Sequence, residues 1–393
     1  MTTGLRPAWT DGSALLALLL AVVALFVPMT QAMIVEDIGT DYYDQILDAR
    51  SVLETGRSDV PRPNLLFNRL LVLLAWPLNG DLATAALIVS VIAYGLTAVM
   101  LYAWLKPVWP WPQSPWAAWG SAALALSLIV VAPLFFLLGQ SSDQALNGYL
   151  TFSLYHNPTT LLAKPLALAQ FALAVRVLRP QAQKAAERMA MLLAALLVTA
   201  LSMAAKFSFT VALLPALVLL ALWRAWRRGS VDWGLLLACL ATALPLLLAQ
   251  YSVFAGSGDG SRATIDFLGY YRAIGEDLSL LPLKWLASLA FPVCMCLLLL
   301  RRAVWQDQSL LLSWLVFGVA WAQAVLLVEQ GLRIEHGNFA WGALYAAFVL
   351  FALSLRRLLS MLRGRPSGAP LLLALYGLHI LAGLDWFAFN LRG

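Results

Sequence analysis

Residues 14–35 read ALLALLLAVVALFVPMTQAMIV, an apolar stretch as long as an α-helix needs to cross a bilayer. Ten further stretches of comparable length follow along the chain. The full set is 14–35, 82–105, 117–138, 158–178, 189–205, 207–223, 234–254, 283–300, 309–328, 340–355 and 370–389. They predict an all-α polytopic membrane protein with about 11 transmembrane helices in a single domain, residues 1–393. Thr30-Gln31-Ala32 resembles a weak cleavage site, so a signal peptide is the alternative for the first stretch, but its length favours a span.

The composition supports a lipid environment for most of the chain. Of the 393 residues, 62% are hydrophobic and only 12% are charged, and the mean hydropathy is +0.80. A soluble domain carries about a quarter charged residues. The net charge of +6 comes from short basic clusters between apolar stretches, so we expect contact with membrane lipids and no nucleic-acid partner. The three cysteines have no metal-ligand spacing and receive no predicted role.

The basic clusters occupy alternate loops, which predicts the orientation of the chain. They are Lys106, Arg176/Arg179/Lys184/Arg188, Arg224/Arg227/Arg228, Arg301/Arg302 and Arg356/Arg357/Arg363/Arg365. With Arg6, they predict a cytoplasmic N-terminus by the positive-inside rule. Of the 20 acidic residues, only Asp11, Glu187, Asp232 and Asp307 then face the cytoplasm. We expect a bacterial inner-membrane protein whose active face is periplasmic or extracellular.

The apolar segment 65–78 decides whether the predicted number of spans, and therefore the predicted orientation, is correct. It is shorter than a span and contains Asn68 and Arg69. Counting it as a transmembrane helix would place every later arginine cluster outside. We therefore predict that it lies in the interface or re-enters the membrane.

Four outer segments are candidates for chemistry: 34–81, 139–157, 255–282 and 329–339. In the third, Ile265, Leu268, Tyr271 and Ile274 recur at helical spacing after a Gly- and Ser-rich run. This pattern predicts a mobile gate with a short interfacial helix. The fourth is short and polar, and such loops are often simple turns.

The first outer segment begins with a predicted amphipathic helix. Thr40 is a suitable N-cap and Gly56 a suitable C-terminal residue. Asp41, Asp44 and Asp48 fall on one polar stripe of that helix, which suggests a general base or a cation site. The stripe has an equally good structural explanation, because acids in a first turn stabilise a helix and a polar face contacts water.

The order of features here resembles the first outer loop of GT-C fold glycosyltransferases. Asp41 follows the first span and precedes Gly56 by fifteen residues, and Pro61-Arg62-Pro63-Asn64-Leu65 supplies the proline-containing stretch. The chain departs from some members of that superfamily in having Tyr42 after the Asp. The resemblance implies an inverting transferase with Asp41 as its essential base. It also implies a second acid in the next outer loop, where Asp143 is the residue available, and it leaves open a divalent cation held by Asp41 and Asp143.

Several cations lie at or near the same predicted face. They are His156, Lys164, Lys206, Arg333 and His336, and we predict that they bind the phosphate of a lipid-linked donor, because fixed cations stabilise a leaving phosphate. Each has a plainer alternative. Asn157-Pro158 is a regular helix start beside His156, and Lys164, about 10 Å into its helix, can extend to the surface. His379, alone on an apolar face, is expected to be structural.

The leading hypothesis from the sequence is a membrane glycosyltransferase that moves a sugar from a polyprenyl-phosphate donor to an envelope glycan or lipid acceptor. Asp41 would act as the base, and Asp44 or Asp143 would position the acceptor. A transporter or flippase of lipid-linked sugars is the first alternative, and it predicts broken helices and charges at the membrane midplane. A polysaccharide polymerase or ligase is the second, and Arg262 and Arg272 in the third outer segment keep it open.

Overall fold

The computed structural model describes residues 8–35, 40–57, 64–114, 116–180, 184–256, 262–299 and 307–392, with side chains for all of these except residues 8, 9, 253–256, 332 and 333. The α-helices are α1 (Ala8–Val35), α2 (Asp41–Thr55), α3 (Leu66–Ala75), α4 (Leu82–Leu105), α5 (Trp116–Val130), α6 (Pro158–Leu178), α7 (Ala185–Lys206), α8 (Ser208–Trp226), α9 (Trp233–Gly256), α10 (Gly269–Ala273), α11 (Leu281–Leu299), α12 (Gln308–Leu326), α13 (Trp341–Met361) and α14 (Ala369–Arg392). Two short strands, β1 (Ala263–Ile265) and β2 (Leu327–Glu329), complete the regular elements.

The predicted class of fold is confirmed. Within the described ranges, ten helices are long and apolar enough to cross a membrane. They correspond to ten of the eleven predicted spans. The chain is therefore an all-α polytopic membrane protein.

The third predicted span, 117–138, is shorter than expected. Helix α5 ends at Val130, and a separate 3₁₀ turn covers Phe135–Leu138. Pro133 lies between the two. Proline lacks an N–H and disfavours a helical residue before it, which favours an end to the helix here. Pro133 alone does not explain the break, because five of the other spanning helices in the described ranges contain an internal proline.

Helix α14 satisfies the backbone of this unwound segment. The N–H of Ala132 donates to the carbonyl of His379 over 3.2 Å, and the His379 Nδ1 atom lies 2.7 Å from the Ala132 carbonyl oxygen. One turn along α14, Gly383 packs directly on the carbonyl of Val130, where any Cβ would overlap that oxygen. Non-helical backbone at membrane depth is tolerated when it is buried in protein in this way. The expected structural role of His379 is confirmed.

The first outer segment forms two helices that lie against the bundle. Helix α2 begins after Thr40 and ends at Gly56, whose φ of 74° is left-handed, as predicted. The Thr40 hydroxyl does not cap α2; it donates to the carbonyl of Met33 at the end of α1. Helix α3 is 10 residues long, about 15 Å, roughly half the hydrocarbon thickness. It does not span, as predicted. Pro61-Arg62-Pro63 lies outside the described residues.

The second outer segment is partly buried inside the bundle, which the sequence did not predict. Residues 149–155 form neither helix nor strand and are almost fully buried. The Ser153 hydroxyl donates to the carbonyls of Ile129 and Val131, and the Trp386 indole N–H donates to the Ser153 carbonyl over 2.7 Å. Segment 139–157 therefore re-enters the bundle beside the break in α5.

The third and fourth outer segments pair with each other. Strand β1 runs antiparallel to β2, with Ala263 opposite Glu329 and Ile265 opposite Leu327. The segment contains a short helix, as predicted, but the helix covers only Gly269–Ala273, so Ile265, Leu268 and Ile274 lie outside it. The pairing is between segments about sixty residues apart, which local spacing cannot reveal. Most of the Gly- and Ser-rich run lies outside the described residues.

The charged side chains divide between the two ends of the bundle. At one end, Lys106 pairs with Asp11, Arg188 pairs with Asp232 at 3.0 Å, and Arg356 donates to the Trp104 carbonyl. We call this the arginine-rich end. Asp41, His156 and Lys206 lie together at the opposite end, which we call the Asp41 end. The division agrees with the predicted alternation of loops.

Candidate functional site

Asp41 is held at the first turn of α2 by the segment that leads into α6. Its N–H donates to the carbonyl of His156 over 3.1 Å. Its carboxylate accepts a hydrogen bond from the side-chain amide of Asn157. The residue is partly exposed, so the carboxylate is fixed in position yet accessible.

Asn157 connects Asp41 to the start of α6. Its Oδ1 atom accepts from the N–H of Thr160 over 2.9 Å and from the Thr159 hydroxyl over 2.8 Å. Because Oδ1 is occupied as the helix cap, the Nδ2 group is the part of the amide that faces the Asp41 carboxylate. The sequence predicts the cap but gives no signal for the contact with Asp41, which lies 116 positions away.

Lys206 brings a buried amino group to the same place. It is the last residue of α7 and only 4% exposed. Its ammonium lies 3.6 Å from the centre of the Trp341 ring and 3.3 Å from the Thr160 hydroxyl. A desolvated ammonium held by one hydroxyl and one aromatic face retains donors for an anion.

His156 is the residue on which both charges act. Burial lowers its pKa below 6.5, the Lys206 ammonium lowers it further, and the Asp41 carboxylate opposes the shift. The imidazole is therefore neutral at pH 7 and able to donate and accept hydrogen bonds.

A cleft of about 190 Å³ opens beside these residues. His156 and Trp341 form part of its wall, and Glu335 and His336 lie on its exposed side. The other lining residues include Gly148, Tyr149, Tyr270 and Tyr271. Neither Asp41 nor Lys206 is among the lining residues. Asp41 adjoins His156 and Lys206 adjoins Trp341, and both of these neighbours line the cleft. The cleft thus combines two imidazoles, a carboxylate and aromatic faces at one end of the bundle.

The remaining predicted site residues lie elsewhere. Lys164 is 2% exposed and deeper in α6, with its ammonium 5.5 Å from the Phe348 ring. Asp143 is exposed and accepts a hydrogen bond from the Ser141 hydroxyl. Its turn packs on α14. Asp44 is exposed on α2. The side chain of Arg333 lies outside the described residues.

One prediction about the acids was therefore wrong. Asp41, Asp44 and Asp48 do not form one solvent-facing stripe, because α2 packs on α3 and α4 and buries Asp48 while Asp44 stays exposed. A cation held by Asp41 and Asp143 stays a prediction. Within the described ranges, no three His, Cys, Asp or Glu residues are grouped as a metal site.

A buried ion pair that the sequence did not suggest supports one wall of the cleft. Lys284 contacts Glu276 at 2.6 Å, and the two side chains are 5% and 7% exposed. The same ammonium donates to the carbonyl of Asn147 over 2.9 Å. The pair ties the segment that carries Tyr270 and Tyr271 to the re-entrant segment 139–157.

Comparison with known proteins does not assign the chain to a family. No protein-family model matches the chain, and no curated protein is significantly similar to it. The fold and the placement of charges define an integral membrane protein with a polar cleft at one end of a helical bundle.

Proposed function

We propose that this protein is a membrane glycosyltransferase that uses a polyprenyl-phosphate-linked sugar and an envelope glycan or lipid acceptor on the non-cytoplasmic face. One observation carries the proposal. The carboxylate of Asp41 is hydrogen-bonded to Asn157, and the buried amine of Lys206 lies 3.3 Å from the Thr160 hydroxyl in the next turn, beside an open cleft that His156 lines. Sugar transfer from a phosphate donor requires both a base and a cation.

The reaction divides between these two groups. Asp41 takes the proton from the acceptor hydroxyl while that oxygen forms a bond to the anomeric carbon. The bond from the anomeric carbon to the phosphate oxygen breaks, and the electron pair leaves with the phosphate. Lys206 stabilises the negative charge that develops there, and the dry surroundings of its ammonium strengthen the interaction. Configuration at the sugar inverts because there is one displacement.

An apolar groove supports a donor with a lipid tail. The groove has a volume of about 300 Å³ and lies between α7, α8 and α9. Met203, one turn before Lys206 on α7, belongs to its lining, as do Leu214 and Val218 further along α8. A phosphate at Lys206 therefore has an adjacent apolar path toward the bilayer interior.

The test separates chemistry from donor binding. We expect Asp41→Asn to abolish sugar transfer in membrane vesicles supplied with a panel of polyprenyl-phosphate sugars, while purified protein still binds polyprenyl phosphate. Lys206→Gln should weaken that binding about tenfold or more, since it removes a charge-assisted contact to phosphate. Glu54→Gln, an exposed acid on the same helix, is the matched control. Transfer at the wild-type rate by Asp41→Asn would refute the role of the base.

A lipid-linked sugar transporter is the second candidate, favoured by one observation. Helix α5 ends at Val130, and buried non-helical backbone lies beside that end. Interrupted helices are a feature of transport sites. In proteoliposomes, a transporter moves labelled polyprenyl-phosphate sugar across the bilayer with no acceptor present. Retention of that movement in Asp41→Asn, without sugar transfer by either protein, would favour transport.

The polymerase or ligase hypothesis gains no comparable support. It depends on free arginines in the third outer segment. Arg272 pairs with Asp266 and donates to the Phe267 carbonyl, so this arginine is engaged within its own loop.

A further inference from the structure

We propose that the arginine-rich end contains a binding site for an anionic phospholipid, between α4, α6, α12 and α13. The site lies at the opposite end of the bundle from Asp41. It does not depend on the function proposed above. Two adjoining cavities form it, one polar and one apolar, and Arg356 lines both.

The polar cavity has a volume of about 160 Å³ and carries an excess of positive charge. Arg356, Arg357 and Asp307 line it together with Ser360. Arg179 approaches the same carboxylate at 3.7 Å, and Arg357 does so at 4.0 Å. Two guanidinium groups therefore approach one carboxylate, and the guanidinium of Arg356 lines the same cavity.

Asp307 neutralises this charge only in part. Its Oδ1 atom already accepts from the N–H groups of Ser309 and Leu310 as the cap of α12. The distances to the arginines exceed hydrogen-bond length. The Nε of Arg357 is buried and donates to no residue in the described part of the chain. These donors fit a phosphate, which guanidinium groups bind through paired hydrogen bonds.

The apolar cavity is the part of the site that would contact the acyl chain of a lipid. It has a volume of about 200 Å³ and is lined mainly by Ala103, Trp104, Phe171, Ala172 and Val175. These residues lie in the last turns of α4 and α6, just inside the bundle end. An acyl chain fits this groove.

Arg356 joins the two parts of the site. Its Nε donates to the Trp104 carbonyl over 3.0 Å, which fixes the guanidinium at the boundary between the groove and the polar cavity. A phosphate on one side and an acyl chain on the other are the two parts of a phospholipid. An anionic headgroup is favoured over a zwitterionic one because the cavity has uncompensated positive charge and the cytoplasmic leaflet carries anionic lipids.

The experiment measures lipid binding to the delipidated full-length protein in detergent by native mass spectrometry. Phosphatidylglycerol and phosphatidylcholine with identical acyl chains are the two probes. We expect tighter binding of phosphatidylglycerol, and Arg356→Gln/Arg357→Gln should weaken it about 25-fold, since each basic residue near an anionic lipid contributes roughly fivefold. The matched control is Arg227→Gln/Arg228→Gln, which removes the same charge at the same end but outside the site.

A second variant keeps the proposal testable if the double arginine variant does not fold. Ala172→Trp fills the apolar groove and leaves both arginines in place. This variant should bind phosphatidylglycerol more weakly than the wild type. Inorganic phosphate should compete with the bound lipid to the same extent in both proteins. Equal affinity for the two phospholipids, or equal binding by Arg356→Gln/Arg357→Gln and its control, would overturn the proposal. Displacement of the lipid by inorganic phosphate at similar concentration would show a phosphate site rather than a lipid site.

Discussion

The contact between Asp41 and Asn157 illustrates what single residues reveal in the sequence. Asp41 is recognisable as an acid at a helix start, and Asn157 as a cap before a proline. Their hydrogen bond is not predictable, because it depends on how α2 lies against the entry to α6. The same is true of Lys206. The sequence predicts its position at the end of a helix but not its contact with the Trp341 ring.

His156 makes the stability of the protein depend on pH in a defined direction. Burial lowers its folded-state pKa below the unfolded value of 6.5. As the pH falls below 6.5, the unfolded chain binds a proton that the folded protein does not, so the free energy of unfolding decreases until the folded pKa is reached. The loss is at most about 1.4 kcal/mol per pH unit in that interval.

Thermal unfolding of the purified protein between pH 7.5 and 5.0 measures this effect. His156→Gln should flatten the dependence on pH. His336→Gln, which replaces an exposed imidazole across the cleft, is the matched control. The assignment to His156 fails if the two variants respond to pH alike.

At the scale of elements, the sequence predicts which segments form helices. It does not predict where an apolar segment stops being helical. Ten predicted spans form helices because their apolar stretches are long. The end of α5 before Pro133 is not predictable from that proline, because other spans continue through one, as α6 does at Pro165. The pairing of β1 with β2 and the burial of residues 149–155 depend on distant partners, so no local pattern indicates them.

The contact between α5 and α14 gives a prediction for these elements. Gly383→Ala places a Cβ against the Val130 carbonyl and must displace α14 from the unwound segment. We expect a loss of about 1–3 kcal/mol in the free energy of unfolding, as for overpacked cores. Gly377→Ala lies in the same helix with open space around it and should be neutral or slightly stabilising. Thermal unfolding in detergent compares them; equal stability of the two variants would contradict this account of the packing.

For the whole molecule, the two ends of the bundle differ in chemistry, and this difference predicts its orientation. The arginine-rich end carries the basic clusters that mark cytoplasmic loops. The Asp41 end carries the cleft and the outer segments. If the orientation is as expected, substrates reach the cleft from outside the cell or from the periplasm. The proposed phospholipid site then faces the anionic inner leaflet.

Cysteine accessibility tests this orientation directly. The background protein has Cys239, Cys294 and Cys296 replaced by alanine, and single cysteines are introduced by Glu54→Cys at the Asp41 end or Arg227→Cys at the arginine-rich end. Both positions are exposed. An inner-membrane-impermeant maleimide should label Glu54→Cys in cells whose inner membrane is intact, and Arg227→Cys only after that membrane is opened. The reverse pattern would place Asp41 in the cytoplasm, where a nucleotide-linked sugar is the accessible donor, and would exclude the polyprenyl-phosphate reaction on the outer face.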